Sequence, residues 1–166
     1  MKSITTFIFL FISITHFSQS KNLSEKFENN EFKVHFPKGW RIDTESLFHT
    51  LVLYPPSIGD EYETSVNFFL IEEATPIIDL EAYSKQEQKM LAIRTDVQSN
   101  NILDSQNGKC IRYEFTMDFY GSKLIGIQYR FIKDATVYSL SFSGEEKSYH
   151  YYKNIAEEVM KSFSFK

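Results

Sequence analysis

An alternation of apolar and polar residues runs from 110 to 143 and leaves few folds open to this chain. Apolar side chains occupy every second position over 111–119, and a period of two recurs over 123–132 and 136–143. Because successive side chains of a strand point to opposite faces, this period predicts three β-strands. The connections between them are short, as in antiparallel hairpins. The sequence therefore predicts an antiparallel meander with one buried face.

Two helices are predicted from spacings of three and four residues. The apolar stripe between 148 and 162 consists of Tyr152, Ile155, Ala156, Val159 and Met160, with Phe163 extending it. This spacing is typical of an amphipathic helix, and we expect it to cover the buried face of the meander. A second helix should begin after Asp79, whose side chain can cap it, and should fade near residue 95.

Shorter strands are predicted at 32–36, 47–54 and 65–72, and around 102–103. Trp40 follows a Pro-Lys-Gly turn, and we expect it to fold back onto the core. Strands and helices are unevenly mixed along the chain, which indicates an α+β fold, an antiparallel sheet with helices packed on it.

The composition limits the classes of partner. Acidic residues outnumber basic ones by 22 to 18, for a net charge of -4. A nucleic-acid-binding protein needs basic residues to neutralise phosphates, so we expect no nucleic-acid partner. Aromatic residues are abundant, with 16 Phe and 10 Tyr, and they favour strands and a well-filled core.

The N-terminus has the pattern of a secretory signal peptide over residues 1–20. Lys2 precedes an apolar run over 4–17, and the small residues Ser18 and Ser20 suit a cleavage site after residue 20. At about 1.5 Å per residue the run spans about 21 Å, which is short of a hydrocarbon core of about 30 Å. An uncleaved anchor and a buried N-terminal strand or helix are the alternatives.

The same reading divides the chain into a signal peptide, a polar leader over 21–30 and one domain over 31–166. We expect an exported protein, periplasmic or extracellular, with no transmembrane span once the signal is removed. Cys110 is the sole cysteine, so neither an internal disulfide nor a CxxC metal or redox site is possible. A bacterial lipoprotein also needs a cysteine at the signal junction, so no lipid anchor is expected. We interpret Cys110 as a small half-buried side chain, with an intermolecular disulfide or a reactive thiol as alternatives.

No catalytic signature is present. The sequence lacks GxSxG, HExxH, P-loop and GxGxxG motifs. His35, His49 and His150 are too scattered to predict a metal site or a nucleophile–base pair. We therefore predict no catalytic residues, no cofactor and no metal, and we expect that the protein is not an enzyme.

The candidate contact surface is the polar connection PPSIGDEYET over residues 55–64. Its carboxylates Asp60, Glu61 and Glu63 flank Tyr62, a mixture that suits contact with a protein partner. A cation site and a plain solvated loop are the alternatives, although the carboxylates lack the regular spacing of a calcium loop. Tyr151 is the second candidate, because on a helix it points away from the apolar stripe.

Several segments, taken in order, resemble the PsbP-like superfamily. The matching stretches are FKVHFPKGW (32–40), SVNFFLIEE (65–73), IDLEAYSKQEQKML (78–91), GIQYRFIKDATVYSLSFSG (126–144) and the Ser162–Phe163 pair. The resemblance covers about 31–165 and implies an antiparallel sheet between helices, an α/β/α sandwich. Members of this superfamily mostly act by binding another protein. No functional residue of the family is matched here, so none is transferred.

Two main hypotheses follow from these patterns, beside a third, a hydrolase whose site no motif reveals. The first is an exported, non-enzymatic binding or accessory module that engages a cell-envelope protein through the 55–64 connection. The second is an envelope protein that binds a small ligand or a cation in a cleft between the sheet and a helix, lined by Tyr62 or Tyr151. The sequence specifies neither the partner nor the oligomeric state.

Overall fold

The computed structural model describes residues 23–56, 67–77, 79–91 and 95–166. The helices in these ranges are α1 (Leu80–Leu91) and α2 (Glu146–Ser162). The strands in the same ranges are β1 (Glu25–Glu28), β2 (Phe32–Phe36), β3 (Arg41–Asp43), β4 (Leu51–Tyr54), β5 (Asn67–Ala74), β6 (Asp96–Ser105), β7 (Gly108–Phe119), β8 (Ser122–Lys133), β9 (Thr136–Glu145) and β10 (Ser164–Phe165).

The strands form two antiparallel sheets. Seven of them make the main sheet in the order β3-β4-β5-β9-β8-β7-β6, and β1-β2-β10 make a small second sheet. The β7–β8–β9 meander lies in the main sheet, with the hairpin pairing that the alternation predicts. The predicted α+β class is therefore confirmed.

Left-handed backbone conformations set the two hairpin turns of the meander. Tyr120 and Gly121 join β7 to β8 with φ of 49° and 86°, and Asp134 and Ala135 join β8 to β9 with φ of 50° and 58°. Positive φ at both central residues is the geometry of two-residue hairpin loops, whose twist matches that of the strands. These turns fix the register of the meander and so decide which side chains face each helix.

One face of the main sheet packs against α2 and the small sheet. Alternate residues of β8 and β9 point into this core, and α2 contributes the stripe that its spacing predicts. Trp40 lies in the same core, as expected. Phe163, the residue that follows α2, is also buried here, between the rings of Phe32 and Phe131 at centroid distances of 5.3 and 5.4 Å.

The opposite face is covered in part by α1. Asp79 caps this helix as predicted, accepting a hydrogen bond of 2.6 Å from the backbone N–H of Ala82. Tyr83 of α1 then packs with Ile111, Tyr113 and Val137 of the sheet. The expectation that only one face of the meander is buried is therefore wrong, because a helix lies on each side of it.

Three local predictions also differ from the structure. Strand β6 has ten residues rather than a few around 102–103; it is a polar edge strand, held by its backbone pairing with β7. Strand β4 begins at Leu51 rather than 47, and both Leu47 and Phe48 are strongly exposed in the preceding loop. The polar segment interpreted as a leader contains β1, which pairs with β2 through its backbone.

The signal-peptide prediction, residues 1–20, lies outside the described residues. Within the described ranges no helix is both long and apolar enough to cross a membrane.

Candidate functional site

A patch of three aromatic residues lies where the chain leaves β4, and we call it the tyrosine patch (Trp40, Tyr151 and Tyr152). The Tyr152 hydroxyl donates a hydrogen bond of 2.5 Å to the carbonyl oxygen of Pro56. Its ring also packs edge-on against Trp40, with centroids 6.0 Å apart. Tyr151 packs edge-on against Tyr152 at 4.8 Å and is 60% exposed. The exposed ring of Tyr151 is thus supported by the buried ring of Tyr152, which in turn packs against Trp40.

Helix α2 produces this arrangement from four consecutive aromatic or histidine residues. Tyr149 and Tyr152 are three residues apart and both face the core, where Tyr149 stacks on Phe142 at 5.8 Å. His150 and Tyr151 point outward, as the helical spacing predicts. The exposure of Tyr151 is therefore a consequence of the tyrosines that anchor α2 on the sheet.

Tyr152 of the tyrosine patch and its core neighbour Tyr149 both keep their hydroxyl protons at neutral pH. Burial raises the pKa of Tyr152, and burial also raises that of Tyr149 well above its usual range. Both hydroxyls therefore stay protonated, and the Tyr152 O–H remains a donor to Pro56. Interfaces favour such large, rigid aromatic side chains with a polar tip.

The structure places Tyr151 beside the start of the predicted contact loop. Pro56, the second residue of that loop, is the last one described before residue 67, and its carbonyl oxygen accepts the hydrogen bond from Tyr152. Asp60, Glu61, Tyr62 and Glu63 lie outside the described residues, so their role stays a prediction.

A buried charge cluster fixes α1 on the sheet. Arg130 of β8 is only 9% exposed and forms an ion pair with Glu87 of α1. It also donates to the Tyr83 hydroxyl at 2.9 Å and to the Gln128 side-chain oxygen at 2.9 Å. Burial raises the pKa of Tyr83 against the opposing effect of Arg130. The contacts with Glu87 and Tyr83 join β8 to α1, and the contact with Gln128 lies within β8. Because these partners satisfy its charge and its donors, the Arg130 guanidinium tolerates burial.

A cavity of about 210 Å³ lies between β6, β7, β8 and the C-terminal end of α2, and we call it the Cys110 pocket. Its walls are mainly apolar and are formed by Leu103, Cys110, Tyr129, Phe131, Met160 and Phe163. The polar lining residues are the exposed Asp104, Gln106 and Lys161 and the half-buried Ser105. Apart from Leu103, the apolar lining residues are almost fully buried, so the Cys110 pocket is a shallow depression with polar residues at its rim.

Cys110 is fully buried in the wall of this pocket, not half-buried as the alternation suggested. Its side chain points to the α2 face, where the core closes over it. Burial raises the pKa of the Cys110 thiol to about 11, so the side chain stays a neutral thiol at physiological pH. A reactive thiolate is therefore disfavoured.

The histidines within the described ranges do not come together in one site. His49 lies in the loop before β4, with its Nδ1 3.0 Å from the Ser46 hydroxyl. His150 is exposed, 4.0 Å from Glu146. Across the described ranges, no group of three or more His, Cys, Asp or Glu residues is placed to hold a metal ion.

Comparison with known proteins places this architecture among solved structures. No protein-family model matches the chain, and no curated protein matches it by sequence. Cyanobacterial PsbP (CyanoP) from Synechocystis superposes with a TM-score of 0.59 and 12% identity, over 86% of this chain and 92% of that one. The chain has a PsbP-like fold. The predicted resemblance is thereby confirmed at the level of the fold, and identities this low carry the likeness no further.

Two further PsbP-like neighbours come from other bacteria. A protein of unknown function from Pseudomonas aeruginosa superposes with a TM-score of 0.60 and 10% identity, over 78% of this chain and 88% of that one. LpqN, described as involved in cell envelope biogenesis of Mycobacterium tuberculosis, superposes with a TM-score of 0.59 and 11% identity, over 81% and 82%. The fold is thus shared by proteins from very different bacteria.

Sequence analysis predicted that Tyr151 is exposed, which the structure confirms, but it did not predict the Cys110 pocket. Among its lining residues only Cys110 was considered for its chemistry, because the apolar others belong to three separate elements or directly follow one, and each is typical of core. The expected cleft lined by Tyr62 or Tyr151 is also not this pocket, since Tyr151 does not line it. The proximity of these walls depends on where the end of α2 crosses the sheet, which a sequence pattern does not specify.

Proposed function

We propose that this chain is an exported, non-enzymatic accessory module that binds a protein of the cell envelope. The observation that carries the proposal is the tyrosine patch, in which a 60% exposed tyrosine is held by core aromatic residues beside the chain exit at Pro56. A supported aromatic side chain loses little entropy on binding and offers a large contact area. The predicted loop residues Asp60, Glu61, Tyr62 and Glu63 would extend this surface.

Two other observations support the proposal. The first twenty residues have the charge, apolar run and small residues of a secretory signal. LpqN, which shares the fold, is described as involved in cell envelope biogenesis. The motifs of the common hydrolases and nucleotide-binding enzymes are also missing from the sequence, which favours binding over catalysis.

A ligand-binding envelope protein is the second candidate, and the Cys110 pocket favours it. The cation form of this candidate has no supporting ligand cluster in the described part of the chain. The small-molecule form has a shallow depression whose apolar lining residues, apart from Leu103, are almost fully buried.

The test is an in-cell cross-linking pull-down of the tagged, exported protein, read by mass spectrometry. Three variants are compared with the wild type: deletion of residues 57–63, Tyr151→Ser and Phe48→Ser. Phe48 is the matched control, because it is also a strongly exposed aromatic residue but lies at the other end of β4 from Pro56. We expect one envelope protein to be captured by the wild type and by Phe48→Ser, and to be lost from the other two. Equal capture by all four, with the fold intact, would contradict the proposal.

A further inference from the structure

We infer that two copies of this chain associate through strand β6, which pairs antiparallel with β6 of the second copy about a two-fold axis at Ile102. The two main sheets then form one continuous sheet. The tyrosine patch contributes no residue to this edge, so the inference does not rest on the proposed function. It rests on the position of β6 in the sheet, the regularity of its pairing and the order of its side chains.

Strand β6 is the long free edge of the main sheet. It is the last strand in the order β3-β4-β5-β9-β8-β7-β6, and among the described residues no strand pairs with its outer side. It has ten residues, whereas β3 at the opposite edge has three. In an antiparallel pair, alternate residues direct their N–H and C=O groups away from the partner strand. The outer side of β6 therefore presents backbone groups that a further strand can bind.

The usual protections of an edge strand are few in β6. Proteins block such edges with lysine, proline, a bulge or a very short strand. The sequence DVQSNNILDS has no lysine, arginine or proline. A register shift between Val97 and Ser99 distorts the first end of the strand, but the pairing with β7 is regular from Ser99 to Ser105. This regular segment is therefore available for pairing with a further strand.

Apolar side chains lie in the middle of this segment. Ile102 and Leu103 are 38% and 37% exposed. Ile102 is paired with Ile111 of the α1 face, and Leu103 is paired with Cys110 of the α2 face. A strand added at this edge therefore covers apolar surface on both faces of the sheet.

The order of the side chains favours a second copy as the added strand. About a two-fold axis at Ile102, the two Ile102 side chains lie opposite each other. No like charges are opposed in this register, whereas a register centred on Asn100 would oppose Asp96 and the partner's Asp104. The remaining pairs of the Ile102 register join Asn101 with Leu103, Asn100 with Asp104 and Ser99 with Ser105. The edge is thus complementary to itself.

The Asn100–Asp104 pair adds a polar contact on each side of the axis. The Asn100 side-chain amide donates a hydrogen bond to the Ser84 hydroxyl at 3.0 Å. An amide nitrogen carries two N–H groups, so the second one is available to the carboxylate of the partner's Asp104. The acidic residue at the end of the segment therefore gains a donor in this register.

The experiment measures the molar mass of the purified exported protein by sedimentation equilibrium, from about 1 to about 100 µM. The breaking variant is Ile102→Glu, which places two like charges opposite each other at the axis. Ile42→Glu is the matched control, because Ile42 is 41% exposed on β3, the opposite edge of the same sheet. We expect a dimer for the wild type and for Ile42→Glu, and a dissociation constant at least tenfold higher for Ile102→Glu.

A mixture of two variants tests the position of the axis. Equal amounts of Ile102→Glu and Ile102→Lys place opposite charges across the axis, so the mixture should recover the dimer that Ile102→Glu alone loses. Hydrogen exchange of the wild type gives a readout that needs no variant. The outward amides of β6 should exchange at least tenfold more slowly in the dimer, while those of β3 stay unchanged.

The inference is overturned if the wild type is monomeric over this range, if Ile42→Glu and Ile102→Glu behave alike, or if the mixture stays monomeric while circular dichroism shows both variants folded. A monomeric wild type whose capture of an envelope protein is lost in Ile102→Glu would assign this edge to a strand of that protein instead. A loss of capture by Tyr151→Ser changes none of these masses, so failure of the proposed function and failure of this inference are distinguishable.

Discussion

The ring of Phe115 lies over Gly126 on the neighbouring strand, in the space that a side chain at position 126 would occupy. The two residues are direct partners in the β7–β8 register. A glycine in the middle of a strand lowers the stability of the sheet, because it has no side chain to pack. An aromatic ring from the paired strand compensates by covering the backbone that the glycine would leave open. The position of the Phe115 ring therefore favours glycine over any larger residue at position 126.

Gly126→Ala should destabilise the protein by about 1–3 kcal/mol, because its methyl group would overlap the Phe115 ring. Urea denaturation measures the change in the free energy of unfolding. In a Phe115→Leu background the same substitution should cost clearly less, since the overlapping atoms are gone. An equal cost in both backgrounds would assign the effect to β8 alone.

Trp40→Ala should lower the free energy of unfolding by about 3–5 kcal/mol, because Trp40 is buried and packs edge-on against Tyr152. Phe48→Ala is the control; its side chain is 81% exposed and should change stability by no more than about 0.5 kcal/mol. Thermal and urea unfolding give both values. A cost below about 1 kcal/mol for Trp40→Ala would show that the indole contributes little to the core.

The Arg130–Glu87 pair should behave as a buried ion pair that is costly to break singly. Glu87→Leu leaves the guanidinium without its carboxylate and should cost about 3 kcal/mol. The double variant Glu87→Leu/Arg130→Met removes both charges and should recover most of that loss. If the double variant is as unstable as the single one, the stability of this contact lies in the packing of α1 and not in charge compensation.

The alternation predicted the meander well, because the period of two and the face to which each side chain points are set within the strand itself. It failed at Cys110 and Ile111, which are consecutive, fully buried and packed on opposite faces. Burial of both faces requires a helix on each side of the sheet. The position of α1 over β7 depends on tertiary contacts, which the pattern of one strand does not contain. A single strand's pattern therefore underestimates how much of β7 is core.

Segments stabilised mainly by backbone pairing were the hardest to predict. Strands β1 and β6 carry mainly polar side chains and are held by backbone pairing with the next strands, β2 and β7, so they lack the apolar alternation by which a strand is recognised in a sequence. Leu47 and Phe48 show the converse, because apolar residues that suit a strand lie exposed in a loop. The Cys110 pocket was hard to predict for a related reason. Its residues Leu103, on the polar strand β6, and Met160, on α2, are brought together only in the folded chain.

The ion pairs of Glu114 predict how stability depends on pH. Glu114 of β7 accepts hydrogen bonds from Lys153 at 2.7 Å and from Arg112 at 2.8 Å, and these lower its pKa below the usual 4.5. A lowered pKa in the folded state means that the stabilisation is fully present above the unfolded pKa and is lost as pH falls through the folded value. Glu114→Gln should therefore be less stable than the wild type at pH 7, and the difference should shrink as pH falls below about 4.5. Glu25→Gln, at an exposed position on β1, is the matched control for the loss of one carboxylate. Urea denaturation at pH 7, 5 and 3 measures the difference, and a gap that stays constant with pH would show that Glu114 acts through packing and not through its charge.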